Sequence, residues 1–422
     1  MLPSVGVFGT DHQAQILIAL FKAAGFPVTA ICGSTYESAK SLANDLKVAF
    51  HTNKIQELLL HNEVDIVCVA GTPHQYAEVC TKALSIGKHV FSSTPAGLTL
   101  KEANDMLNKA QYYPKLLSVL NHPLRFLSAY SEAKNLIKEG RIGEILICEC
   151  RIHIKSLIGS SFDWHCDSTM GGGVLQTYGS HIVDILSFLL EQKATQAHGI
   201  LETFVKQTDK MPNFRQISSD DFCSFQLKYP SGIRACVTLN AHMPNNFVQE
   251  VMLVGSKGFL KIVNCNLYGQ ISGSDTVECL YTEEQGDRSL YSSFEDILPG
   301  MYLLGCEQLI EGIKLAFEST QLMGMDQSTD RRNADINLIT AAANFENGCY
   351  TRSVLDAIFE SNKQRQWVEI KQPGEEFRDN TFWSSKECSL QQSGMNNTDN
   401  RVLKPRTDTQ KQRSSPHVSK KR

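Results

Sequence analysis

The chain has 422 residues, enough at ~150 residues per domain for two or three cores. Hydrophobic residues make up 42% and charged residues 20%, the balance of a globular protein, and no apolar run reaches the ~18 residues of a membrane-crossing helix. The net charge of −4 hides an asymmetry: residues 401–422 hold eight Lys and Arg against one Asp, leaving 33 basic and 44 acidic residues elsewhere, a balance that argues against nucleic-acid binding by the folded part.

Over residues 1–120 the pattern alternates. Short apolar runs at 5–8, 28–32, 64–70, 90–91 and 116–120 predict strands. Helical spacing at 13–24, 37–46, 76–86 and 100–111 fills the gaps, and Gly25 and Gly87 close two of these segments. Strands that alternate with helices of ~10–15 residues mean βαβ units, and nearly continuous apolar strands mean helices on both faces. The expectation is a doubly wound parallel sheet of the dinucleotide-binding type.

The second half changes character. A helix is expected at 129–139, followed by strands at 145–154, 193–206, 221–228, 233–240, 249–254 and 259–263. Short Gly-, Pro-, Asn- and Ser-rich connections point to one mostly antiparallel sheet, with a helix at 180–190 packed on it. Two more helices are expected at 301–318 and 337–360. The domains read as 1–121, 122–370 and a polar, basic tail at 371–422 expected to be disordered.

None of the 13 cysteines forms a C-x-x-C pair, and Cys32, Cys68, Cys148 and Cys236 lie in apolar runs where buried thiols are expected. That usage fits a reducing compartment, and the cytoplasm is the expected location. No metal site is expected, since the histidines and cysteines lack ligand spacing. Asn396 opens a glycosylation triplet inside the tail, which is read as a solvated end.

The first βα turn runs Gly9-Thr10-Asp11-His12-Gln13-Ala14. It sits between a strand and a helix and fits G-x-G-x-x-G/A, with Gly9 first and Ala14 third. Asp11 holds the middle place, where glycine ordinarily lets the backbone approach a pyrophosphate. The second strand ends in Gly33-Ser34-Thr35, without the Asp or Glu that holds ribose hydroxyls or an Arg for a 2′-phosphate, so NAD and NADP both stay open.

Several stretches together resemble the Gfo/Idh/MocA oxidoreductases, and within them the animal glucose-fructose oxidoreductase domain-containing subgroup. They are VGVFGT at 5–10, VDIVCVAGTP at 64–73, ALSIGKHVF at 83–91, LRFL at 124–127 and IKEGRIGEIL at 137–146. DW at 163–164, MGGGVLQTYGSHIVDIL at 170–186, SDDF at 219–222, VGSKG at 254–258, and TFVKQ at 203–207 with LYGQ at 267–270 complete the set. The resemblance implies a Rossmann domain, then an α/β domain with an open sheet that often dimerises, and NAD(P)-dependent hydride transfer on a sugar-like or polyol substrate.

Carried over residue by residue, the resemblance implies that Gly9 to Ala14, Gly33, Ser34, Thr35, Gly71, Thr72, Pro73, Thr94, Pro95 and Arg125 face the cofactor. It implies that His165, Thr177 and His181 face substrate, and that His181 is the acid/base, with Asp184 one turn on to orient it. Two departures stand out. The family's Glu-Lys-Pro is Ser93-Thr94-Pro95 here, and the first Asp of its glycine-run motif is Thr177. Thr94 and Thr177 are then expected to position substrate at the catalytic centre, without the cation. Two readings follow: an oxidoreductase, or a catalytically impaired relative that senses nucleotide or assists protein assembly, outside cells as well, since some animal relatives are secreted.

Overall fold

The computed structural model describes residues 2–159, 161–207, 216–244, 247–283, 294, 297–322 and 339–371. The expected tail from residue 372 on, its Asn396 triplet and the first two residues of the helix expected at 337–360 lie outside them.

The first sheet is built from β1 (Val5–Phe8), β2 (Val28–Cys32), β3 (Phe50–Thr52), β4 (Ile66–Val69), β5 (His89–Ser92) and β6 (Ser118–Leu120). Between them run α1 (His12–Ala23), α2 (Tyr36–Asp45), α3 (Ile55–Leu59), α4 (Tyr76–Ser85) and α5 (Leu100–Tyr112). Every residue of β1, β4 and β5 is buried, as helices on both faces require. All pairings among these six strands are parallel, in the order β6-β5-β4-β1-β2-β3. The order reverses between β1 and β4, and ligands of such sheets bind at that switch point, beyond the carboxyl ends of the strands.

Local chemistry sets the helix starts. Thr35 and Ser38 form a reciprocal cap on α2, and Thr99 with Glu102 does the same on α5. These caps satisfy backbone N–H groups that a helix leaves open at its first turn.

The second sheet follows α6 (Ser128–Lys138). It comprises β7 (Ile145–His153), then, after α7 (Ser180–Leu190), β8 (Gln196–Glu202), β9 (Phe222–Lys228), β10 (Arg234–Asn240), β11 (Val248–Gly255), β12 (Gly258–Val263), β13 (Asn266–Gln270) and β14 (Glu278–Tyr281). The last elements are α8 (Gly300–Leu322), β15 (Ala343–Asn344), α9 (Phe345–Gln364) and β16 (Val368–Glu369). The nine strands run β14-β13-β12-β11-β7-β10-β9-β8-β16 and are antiparallel except for β7 beside β10.

The sheet alternates buried and outward residues, with Cys148, Cys150 and Ile152 of β7 on the buried face. Cys236 corrects the expectation of a buried thiol. It is exposed, because its neighbours Ala235 and Val237 take the core face and the two-residue period turns it outward.

The chain then returns to the first sheet. α8 adds Leu303, Cys306, Leu309 and Ile310 to the core beneath β1 and β2. β15 pairs antiparallel with β6. The helix expected to begin at 337 begins instead at Phe345, because Ala343 and Asn344 complete the sheet and Asn344 caps α9 reciprocally with Asn347. α9 packs on both α5 and β8, so it joins the two sheets.

Candidate active site

Three strand ends of the first sheet finish in glycine: Gly9 after β1, Gly33 after β2 and Gly71 after β4. Gly9 has φ +129°, and a Cβ there would lie 2.7 Å from the Ala70 carbonyl carbon. Only glycine allows both that backbone and that approach. A Cβ on Gly33 would meet Thr10 and Ser38 at 2.8 Å. Side-chain-free strand ends at a switch point make a cradle that a dinucleotide fits.

Asp11 stands beside Gly9 at the start of α1. Its Oδ1 accepts the Ala14 N–H at 3.0 Å and caps α1. Burial raises its carboxyl above the usual value, against the Ala14 N–H and the neighbouring His165 and His12. Gln13 and Thr10 are half-buried and His12 is exposed. Thr35 accepts the Ser38 N–H at 3.1 Å as the α2 cap, while Ser34 stays exposed. Thr72 donates to Gln75 Oε1 at 3.0 Å, beside buried Pro73.

The glycine run 171–173 is a junction. A Cβ on Gly171 would meet Pro73 at 2.7 Å, one on Gly172 the carbonyl oxygens of Trp164 and His165 at 2.5 Å, and one on Gly173 Asp220 Oδ1 at 2.0 Å. The run thus packs between Pro73 on one side and Trp164, His165 and Asp220 on the other, just before a helix begins. Asp220 accepts the Leu175 N–H at 2.9 Å at that start, and burial pushes its carboxyl up to about 7. Residues Leu175–Gly179 make a wide π-helical turn that leads into α7, a feature common at functional sites.

That turn carries Thr177, and α7 carries His181 and Asp184. His181 Nε2 lies 3.5 Å from Thr94 Oγ1, between segments 87 residues apart. His122 meets the His181 ring edge-on at 5.1 Å, and Tyr302 of α8 meets it at 5.2 Å. His181 Nδ1, His122 Nδ1 and Thr177 Oγ1 are buried and lack a hydrogen-bond partner. Such orphaned groups cost free energy unless a ligand satisfies them. Burial pushes His181 down to about 3, with His122 adding and Asp184 opposing. It pushes His122 to about 4, against Asp184.

Asp184 does not hold His181, contrary to the expected pairing. Arg125 takes both its oxygens, Nε to Oδ2 at 2.7 Å and Nη2 to Oδ1 at 2.6 Å, and Nη1 reaches the Ala341 carbonyl at 3.2 Å. The guanidinium expected at the cofactor is thereby engaged. The bidentate fork matches the carboxylate better than one imidazole N–H can. Asp184 Oδ2 stays 3.7 Å from His122 Nδ1, beyond hydrogen-bond reach.

His165 stacks on Trp164 at 3.7 Å and has Asp163 at 3.2 Å from its Nδ1. It is half-buried, and its electrostatic influence is felt at Asp11.

His122, Tyr302 and Asp220 were not singled out from sequence. His122 had one signal, a polar Asn-His pair directly after a strand. Tyr302 had none, since α8 reaches the site only through the fold.

A parallel sheet ending in a glycine cradle, docked to a helix-carried imidazole and a second, open sheet, defines a dinucleotide-type oxidoreductase fold. Residues 4–121 match the model of an oxidoreductase family with an NAD-binding Rossmann fold, and residues 130–261 match the GFO/IDH/MocA C-terminal domain. Glucose-fructose oxidoreductase domain-containing protein 1 of Xenopus tropicalis is 42% identical over 373 residues, spanning 88% of this chain and 93% of that protein. The human domain-containing protein 2 is 39% identical over 372 residues, spanning 88% and 94%. The chain belongs to the GFO/IDH/MocA oxidoreductase family, beside these animal proteins.

Solved structures share the fold at low identity. An oxidoreductase domain protein from Kribbella flavida superposes with TM-score 0.72 at 20% identity, covering 88% of this chain and all of that one. A levoglucosan dehydrogenase in complex with NADH and L-sorbose gives 0.71 at 17%, with the same coverage. Among the described residues no helix is long and apolar enough to cross a membrane.

Proposed function

We propose that this chain is a nicotinamide-dinucleotide-linked oxidoreductase of a sugar-like or polyol substrate. The observation that carries this reading is the cluster of Thr94, Thr177, His122 and His181, in which three buried polar atoms lack a partner beside the glycine cradle. A hydroxylated ligand would satisfy such atoms. Gly9 to Ala14, Gly33 and Gly71 to Pro73 would hold the dinucleotide, NAD or NADP, which supplies the hydride acceptor or donor when bound. With the proton of the neutral imidazole on Nδ1, His181 Nε2 accepts the proton a substrate hydroxyl releases, and returns it in reduction. Thr94 and Thr177 orient that hydroxyl, and His165 is a further substrate contact in this reading.

A second reading, ligand or nucleotide sensing without turnover, rests on one observation. Thr94 is neutral and Arg125 is bound to Asp184, so neither supplies a cation to His181. That reading includes service as a protein-assembly factor, inside the cytoplasm or secreted.

The test is a titration of purified protein with NADH and NADPH by fluorescence, then a polyol screen with the tighter cofactor. Turnover should fall about 10²–10⁴-fold in His181→Ala. Because His181 stays neutral, kcat/KM should show no acid limb near pH 6.5. Turnover that survives His181→Ala would end the acid/base assignment, and binding without turnover would favour the second reading.

The second sheet exposes Ile147, Ile200 and Cys236 on its outward face. We place a homodimer contact there, which light scattering on a size-exclusion column tests.

A further inference from the structure

We propose that Asp11 is a built-in anion that makes dinucleotide binding by this chain proton-linked: a pyrophosphate reaches the start of α1 only with uptake of a proton by this carboxylate. The inference rests on the reading that the first domain binds a dinucleotide.

The N–H groups at the start of α1 are the natural seat of a pyrophosphate in this fold. Asp11 already uses one of them, with Oδ1 3.0 Å from the Ala14 nitrogen. The turn cannot retreat from the ligand to make room. Gly9 is packed so closely on Ala70 and Gly71 that even a Cβ would lie 2.7 Å from their backbone. Two anions must therefore share one helix end.

The groups that face Asp11 are His12 of α1, His165 of the turn at Trp164–Cys166 and Tyr76 of α4. Tyr76 is buried and its hydroxyl donates to the Gly71 carbonyl at 2.7 Å, so it brings no charge. Burial already favours the protonated form of Asp11 before any ligand arrives. A second anion pushes it further the same way. The sign follows: above the free carboxyl's own titration, each rise in pH makes the required proton scarcer and weakens binding.

The experiment titrates the full chain with NADH at about pH 5.5, 7 and 8.5, in wild type, Asp11→Asn and Asp11→Gly. Asn caps a helix about as well as Asp, so Asp11→Asn keeps the turn and removes the charge. Circular dichroism melting checks that it folds. Wild-type affinity should fall at least about tenfold from the lowest to the highest pH. At pH 8.5 Asp11→Asn should bind about 10–100-fold more tightly than wild type. It should also lose most of the pH dependence.

If Asp11→Asn keeps the wild-type affinity and slope, the inference is overturned and the dinucleotide reading stands. If no variant binds NADH at millimolar concentration at any pH, both fall. Tight wild-type binding that does not vary with pH also overturns the inference.

Discussion

Asp184 and Arg125 are buried and joined by two short hydrogen bonds, so each neutralises the other inside the site. Their union costs desolvation, and its removal costs more, because the survivor is a buried unpaired charge. Arg125→Ala should destabilise the protein by about 3–5 kcal/mol, read by urea unfolding, and Asp184→Asn by less, since the amide still accepts a guanidinium hydrogen bond. A loss below about 1 kcal/mol for Arg125→Ala would show that water replaces the guanidinium. His181 belongs to the same scale. Burial depresses its folded pKa to about 3, below that of an unfolded histidine, so protonation favours unfolding. Its contribution is complete above about pH 6.5 and is lost as pH falls toward the folded value. Two-dimensional NMR of labelled imidazole should find His181 neutral down to about pH 4, and titration near 6.5 would refute its burial in solution.

At the scale of elements, the glycine run 171–173 and the helix it opens act together. Asp220 accepts the Leu175 N–H and lies against Gly173, where φ is +114° and no Cβ fits. Its carboxyl is raised to about 7, so the folded state holds more protons than the unfolded state between about pH 4 and 7. Stability owed to Asp220 therefore falls as pH rises through that window. Asp220→Asn, which keeps an acceptor and does not titrate, should gain stability relative to wild type across it and level off above about pH 7. Asp220→Ala should be less stable than Asp220→Asn by about 1–2 kcal/mol at every pH, the cost of an absent cap. Thermal melts of the three proteins at several pH values check both. Most elements were legible because their period was strong: the strands at 5–8 and 28–32 and the helix at 180–190 match the reading to the residue. β3, β13 and β14 were not, since three to five residues carry too little periodicity against neighbouring turns.

At the scale of the molecule, α8, β15 and α9 bind the second half of the chain to the first. Arg352 of α9 is buried and bonds Gln176 at 2.8 Å and Asp356 at 2.6 Å, so the last helix also steadies the turn beneath Thr177. Gly348 seats α9 on the first sheet, where a Cβ would lie 2.3 Å from Leu120 Cδ1 and 2.6 Å from Ala96 Cβ. Gly348→Val should cost about 1–3 kcal/mol through overpacking. Because α9 serves both sheets, calorimetry should show one transition for wild type and a lowered transition for the variant. Two separate wild-type transitions would mean that the sheets unfold independently.

The sequence alone determined the two kinds of sheet, the glycine cradle and the helix that carries Thr177, His181 and Asp184, because each is written in local period, turn residues or motif spacing. Only the tertiary structure decided who meets whom. His122 with Arg125, Asp184 and Tyr302 come from three segments far apart in the chain, and their pairing depends on packing distances that no local pattern records. The states of His181 and Asp11 were decided there too, since a carboxyl or an imidazole takes its pKa from burial and neighbours, and burial is a property of the whole fold.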